Sequence, residues 1–192
     1  MKAIWEKFEN YLIKESKEAY DDLNSGASKE QIDALEVELN IKFPEDFREF
    51  LTIHNGSKEG FGLIDCFELL SLEGIKNEWD IWQELLEDES FEFDSVDDYS
   101  YSEFDDRVKK LWWNPKWIPF ASDGSGNSLC IDLDPSESGK IGQVIVMNHE
   151  DAGREILGES FKSWFESYVL AVLEGKYIYK DEYKSIVDIN YQ

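Results

Sequence analysis

The stretch Trp117-Ile-Pro-Phe-Ala-Ser-Asp-Gly-Ser-Gly-Asn-Ser-Leu-Cys-Ile-Asp-Leu-Asp-Pro135 constrains the fold more than any other part of the chain. Two apolar, strand-like runs flank a turn, Asp123 to Asn127, built from residues that tolerate positive φ, which is a hairpin signature. In the second run Leu129, Ile131 and Leu133 alternate with Cys130 and Asp132. Alternation predicts one buried and one wet face, with the aliphatic residues in a core and Asp132 and Asp134 turned outward. Pro135 cannot donate to a ladder and ends the strand.

Helical patterns surround this hairpin. Trp5, Phe8 and Leu12 recur at spacings of three and four, so Ile4 to Tyr20 reads as an amphipathic helix that packs on the domain or docks a neighbour. Ser28 to Gln31 reads as a capping box opening a helix with Ile32, Leu35 and Leu39 buried. Pro44 suits the first position of a second helix, carrying Phe47, Phe50 and Leu51 and ended by Asn55-Gly56. Strand character then appears at Cys66 to Leu70, and Ser71 caps a helix bearing Ile75, Trp79, Trp82 and Leu86. Gly142 to Met147 reads as a strand, Arg154 to Leu157 as a short one, and Phe161 to Leu173 as an apolar helix. Residues 177–192 fit a short strand, a packed helix or a frayed tail. Strands without regular crossover helices indicate an α+β class, a single domain whose antiparallel or mixed sheet is flanked by helices.

Several of these segments, in this order, resemble the SUKH superfamily of Smi/Knr-type cell-wall-synthesis regulators and bacterial immunity proteins. They are Ser28 to Gly56, the hairpin, Gly142 to Val146 and the helix around Phe161 to Phe165, and the likeness covers roughly residues 25 to 176. The resemblance implies a SUKH-like domain over 25–176 with an acidic insertion at 84–106, preceded by a helical extension (1–24) and followed by a tail (177–192). It also implies binding to other proteins, and it does not fix which surface binds.

Charge limits the partners. The chain of 192 residues carries 43 acids against 19 Lys and Arg, a net charge of −24. A nucleic-acid partner would need a basic face to displace counterions, and an anionic membrane surface is disfavoured for the same reason. A basic protein is favoured. No Lys or Arg occurs from Glu78 to Asp106, where Glu84, Glu87, Asp88, Glu89, Glu92 and Asp94 are followed by Asp97, Asp98, Glu103, Asp105 and Asp106. Phe91, Phe93, Tyr99, Tyr101 and Phe104 interrupt them. This segment reads either as a docking surface with aromatic anchors or as a solvated loop. Asp123, Asp132 and Asp134 form a second, hairpin-borne candidate group.

Motifs for chemistry are weak. Asp123, Ser125, Asn127 and Asp134 match part of a calcium-loop template, but Ser128 stands where Gly is required and Asp134 where a bidentate Glu belongs, so a plain turn is preferred. His54 and His149 lack ligand spacing, and His54 suits a helix C-terminus. Gly124-Ser-Gly126 lacks a nucleophile-elbow frame. Cys66 and Cys130 sit in apolar runs as expected of buried thiols. No catalytic residue, metal or cofactor is expected. The chain shows no secretory signal and no apolar run of about eighteen residues, so a cytoplasmic location is expected. The leading expectation is an immunity protein of a polymorphic toxin system, neutralising a basic nuclease-type toxin by nucleic-acid mimicry. The alternatives are a Smi/Knr-like regulatory scaffold and, less favoured, a carboxylate-based hydrolase.

Overall fold

A computed structural model describes residues 1–58, 60–88, 105–150 and 153–191. Helices α1 (Lys2–Glu15), α2 (Lys17–Asp22), α3 (Lys29–Glu38) and α4 (Glu45–Ile53) precede β1 (Glu68–Leu69) and α5 (Leu72–Glu87). Strands β2 (Trp117–Ser122), β3 (Ser128–Asp132), β4 (Gln143–Met147) and β5 (Ile156–Gly158) follow, then α6 (Phe161–Leu173) and the hairpin β6 (Tyr177–Lys180) and β7 (Ser185–Asp188). Strands β1 to β5 form an antiparallel sheet in sequence order. The α+β class and the central hairpin are therefore observed, with β2 and β3 paired from Trp117↔Asp132 to Ser122↔Ser128 around a bulge at Phe120.

The expected wet face of the hairpin is not there: every residue of β2 and β3 is buried. Ile118, Phe120, Leu129, Ile131 and Val144 enter the main core. Trp117, Cys130, Ile145 and Met147 face a second core with Trp82, Val108 and Trp113. Alternation reports which residues share a face but cannot tell whether another element covers the polar-looking side. Here α5 and residues 108–117 cover it. The rings of Trp82 and Trp113 stack at 5.7 Å, and Trp79 Nε1 donates to the Pro115 carbonyl at 2.9 Å. Arg154, only 1% exposed, donates to the carbonyls of Trp112 and Gly153 and lies 5.3 Å from the Trp117 ring.

The main core is aromatic. Trp5 of α1 lies 4.8 Å from Phe50 of α4 and 5.1 Å from Phe165 of α6, and Phe161 contacts Phe47, Phe50 and Phe120. Trp5, Phe8 and Leu12 are fully enclosed, so the N-terminal helix packs into the domain. It is shorter than Ile4 to Tyr20, because Ser16 turns extended (φ −154°) and its hydroxyl accepts the Ala19 N–H to start α2. The Ser28–Gln31 capping box is present in both directions. Pro44 stands one position earlier than expected, at the cap of α4.

Residues 177–191 form a docked hairpin, and Ile186 and Val187 are buried. The Ile186 N–H donates to the Gly62 carbonyl, and the N–H groups of Gly62 and Cys66 donate to Lys184 and Ile186. Gly62 is required here, since a Cβ would lie 2.8 Å from the Cys66 backbone, which cannot rotate away, as well as 2.5 Å from Ser185 Oγ. Asp65 and Cys66 hold left-handed backbone at φ 47° and 71°, a strained pair for non-glycine residues. The Tyr168 hydroxyl donates to the Leu63 carbonyl and accepts the Asp65 N–H. Cys66 and Cys130 are both free thiols, Cys130 fully buried and Cys66 partly so. Among the described residues no helix is long and apolar enough to cross a membrane.

Because Trp5 joins α1 to both α4 and α6, Trp5→Ala should lower unfolding free energy by about 3–5 kcal/mol, as large aromatic truncations in cores do. Chemical denaturation followed by far-UV circular dichroism reads this. A loss under about 1 kcal/mol would show that α1 is a peripheral attachment.

Candidate protein-interaction surface

Helix α5 is fixed at its start and exposed at its end. Ser71 Oγ accepts the Gly74 N–H, Ile75 and Trp82 are buried, and the Trp79 bond to Pro115 sets the helix rotation. Glu84, Glu87 and Asp88 consequently face solvent, and Leu86, read with Trp82 as part of the apolar stripe, is exposed as well, because the cover over α5 stops short of its last turn. The last turn contains no cation. Carboxylates beside the carbonyl end of a helix oppose its dipole by roughly 0.3–1 kcal/mol each, so this placement does not serve helix stability. Asp106 is also exposed. Asp105 instead accepts three N–H groups of Arg107, whose guanidinium holds its carboxyl below the usual range. Glu89, Glu92, Asp94, Asp97, Asp98 and Glu103, with the five aromatics among them, lie outside the described residues.

The three hairpin carboxylates do not form an acidic face. Asp123 accepts the Ser125 and Asn127 N–H groups and both their side chains, which closes the turn and lowers its pKa against the opposing effect of burial. This is the plain turn preferred over a calcium loop. Asp132, expected to look outward, is wholly buried. It accepts the Asp134 N–H and Gln143 Nε2, and burial raises its pKa in spite of these bonds. Asp134 is ion-paired to Lys109 at 2.5 Å and accepts Asn114 Nδ2, and its pKa is lowered. Asp132 and Asp134 are engaged because the 105–116 segment crosses that end of the sheet, bringing Lys109 and Asn114 to Asp134 and the Arg107 carbonyl to Gln143, and sequence spacing carries no sign of that crossing. Asp123, at the opposite end of the hairpin, is held by its own turn.

His54 caps α4, its Nδ1 at the Asn24 carbonyl and its Nε2 2.7 Å from Glu9. His149 lies against Gly126 and shares Asn127 Oδ1. Both histidines thus hold structural bonds.

An open groove of about 1170 Å³ runs between α3, α4 and the segment after β3, and the sequence reading missed it. Glu36, 4% exposed, accepts the Phe43 N–H and pairs with Lys42 and Arg48. Arg48 also reaches Asp33 at 2.6 Å. The pKa of Asp33 is lowered chiefly by its bond to Arg48. That of Glu36 is lowered because its bonds to Lys42, Arg48 and Phe43 outweigh burial. The available signal was Glu36 one turn beyond buried Ile32. Val37 and Ile141 also line the groove, 81% and 75% exposed.

Comparison with known proteins gives a match to the family described as SMI1 / KNR4 family (SUKH-1) over residues 26–167. The chain is 27% identical to the "Cell wall biosynthesis/cell cycle regulator smi1" of Schizosaccharomyces pombe, covering 95% of this chain and 38% of that protein. It is 23% identical to a "Glucan synthesis regulatory protein" of Neurospora crassa, covering 94% of this chain and 40% of the relative. It is 20% identical to the "Cell wall assembly regulator SMI1" of Saccharomyces cerevisiae, covering 83% and 38%. The chain therefore spans about two-fifths of the length of these relatives.

Opposed pKa shifts set the pH dependence of stability. Asp65 and Asp132 are raised mainly by burial, so the fold disfavours their ionised forms and gains stability as pH falls through their folded pKa values toward the ordinary value of about 4. Asp33, Glu36, Asp123 and Asp134 are lowered. Their contribution is present above the ordinary carboxylate pKa of about 4 and is lost below it. Thermal melting should accordingly rise as pH falls from neutral through the folded pKa values of Asp65 and Asp132, then fall below about pH 4. Asp65→Asn keeps an acceptor for the Asp188 N–H and should flatten the rise. A melting temperature that falls steadily from pH 7 would contradict this assignment.

Proposed function

Because the chain belongs to the SMI1/KNR4 (SUKH-1) family, we propose that it is a non-enzymatic protein-binding module with a regulatory role in cell-wall or glucan synthesis, acting in the cytoplasm. The observation that carries the role is the shared naming of three fungal relatives as regulators, with similarity reaching from the N-terminal helix to the C-terminal hairpin in two of them. These names support the regulatory reading over toxin neutralisation, the leading expectation from sequence.

The partner is a basic protein, met by the acidic end of α5 and the Glu84 to Asp106 segment. Support comes from the net charge of −24 and from exposed Glu84, Glu87 and Asp88 at a helix end where they oppose the dipole. Asp123 and Asp134 are engaged within the fold and Asp132 is enclosed, so they contribute background field only. The non-enzymatic reading is supported by the groove acids: Asp33 and Glu36 both shift downward, whereas acid–base hydrolysis needs one of them raised. Asp132 and Asp134 do diverge, but Asp132 is closed off from any substrate. Neutralisation of a nuclease-type toxin is a second reading, and it rests on the charge, which suits a phosphate-gripping groove.

Expression in a fission-yeast strain lacking the related regulator tests the role. Wild-type chain should restore growth under cell-wall stress, and Glu84→Gln/Glu87→Gln/Asp88→Asn should restore it less. Failure of the wild type, together with suppression of a basic nuclease toxin on co-expression, would replace the regulatory reading with the second one. Partner binding should also weaken about tenfold or more between roughly 50 and 200 mM salt, and a salt-independent affinity would remove the acidic surface from the interface.

A further inference from the structure

The groove beside α3 and α4 differs chemically from the rest of the surface. Its lining holds the cations Lys29, Lys42, Arg48 and Lys116 and the anions Asp33, Glu36, Glu45 and Glu49, so the net charge of −24 lies wholly outside it. Val37 on α3 and Ile141 after β3 reach into it from different walls, both largely exposed. Ile41 and Leu133, partly buried against the core, also line it. Four aliphatic side chains in one concavity make an apolar patch of the kind that marks an interface.

We infer that this groove is a self-association surface that receives a second copy of the chain about a two-fold axis. Charge selects the occupant. A two-fold contact sets a patch against itself, so the patch must be self-complementary. A lining with as many cations as anions carries no net charge to repel its own copy and leaves the exposed aliphatic side chains to meet each other, whereas the acidic end of α5 would face carboxylate with carboxylate. A basic partner of the kind proposed above gains no net attraction from a neutral groove. The walls are also preformed: Arg48 joins Asp33 and Glu36 of α3 to α4, so apolar side chains enter with little ordering of the receptor.

The same charges fix an unusual salt dependence. Two copies of −24 repel at long range while the contact itself is neutral, and added salt screens the repulsion without weakening the apolar contact. Self-association should therefore strengthen with salt, opposite in sign to capture of a basic partner. This sign separates the inference from the proposed function, and either can fail alone.

Sedimentation velocity on the full chain, from about 1 to 500 µM protein and at roughly 50 and 500 mM salt, provides the test. The expected result is a monomer–dimer equilibrium whose association constant rises at least about tenfold with salt. Val37→Asp/Ile141→Asp should be monomeric throughout with an unchanged circular dichroism spectrum. Ile141→Asp alone, in a loop, keeps the test open if Val37→Asp disturbs α3. Leu170→Asp, at an exposed apolar position on α6, should dimerise as the wild type does. A monomer under every condition overturns the inference, as does a dimer that weakens with salt or is indifferent to Ile141→Asp. A monomeric chain whose groove instead takes a different protein overturns it too.

Discussion

Burial of the β2–β3 hairpin on both faces is the constraint on which the rest of the structure depends. One face of the hairpin completes the aromatic core built by α1, α4 and α6. The other is sealed by Trp82 of α5 and by Val108 and Trp113. Sealing the second face removes its apolar surface from water, which stabilises the fold by about 25 cal/mol per Å² buried. It also orients α5. Once Trp79 and Trp82 are fixed, the helix must carry Glu84, Glu87 and Asp88 outward, so the display of negative charge follows from packing.

A chain with this much like charge must separate carboxylates that hold the fold together from carboxylates that face partners. Asp123, Asp132 and Asp134 belong to the first kind, each held by N–H donors or a lysine around the hairpin. Glu36 does too, locked between Arg48 and Lys42. Local neutralisation by Lys29, Lys42, Arg48 and Lys116 leaves one concavity without net charge, and the acidic end of α5 lies apart from its lining. The two proposed surfaces, opposite in the salt response expected of them, would let one small domain associate with itself and with a basic protein independently.

Much of the local structure was legible in the residues. The capping box at Ser28, the turn at Asp123 to Asn127 and the stripes of α4 and α6 obey rules that act over a few positions, and each appears as read. The failures have two causes, coverage by a distant segment and a local competition for one backbone N–H. Asp132 reads as a solvent-facing residue because its neighbours in β3 alternate, and it is buried because the 105–116 segment, non-adjacent in sequence, returns across the strand end. The helix from Ile4 breaks at Ser16 because the hydroxyl of Ser16 competes for a backbone N–H, which an apolar period cannot register. The groove was invisible for the same reason as Asp132, since Val37 and Ile141 are 104 positions apart.

The sequence by itself determined the class of fold, the order and type of most elements, the strong negative charge and the family likeness, because periodicity, capping and composition are local or additive properties. Tertiary structure alone decided that the β2–β3 hairpin has no wet face, that the N-terminal helix and C-terminal hairpin pack into the domain, and which acids are engaged inside the fold. Those outcomes turn on which distant segment covers which surface. A side chain's burial, and with it the pKa and reach of its charge, is a property of its neighbours in space.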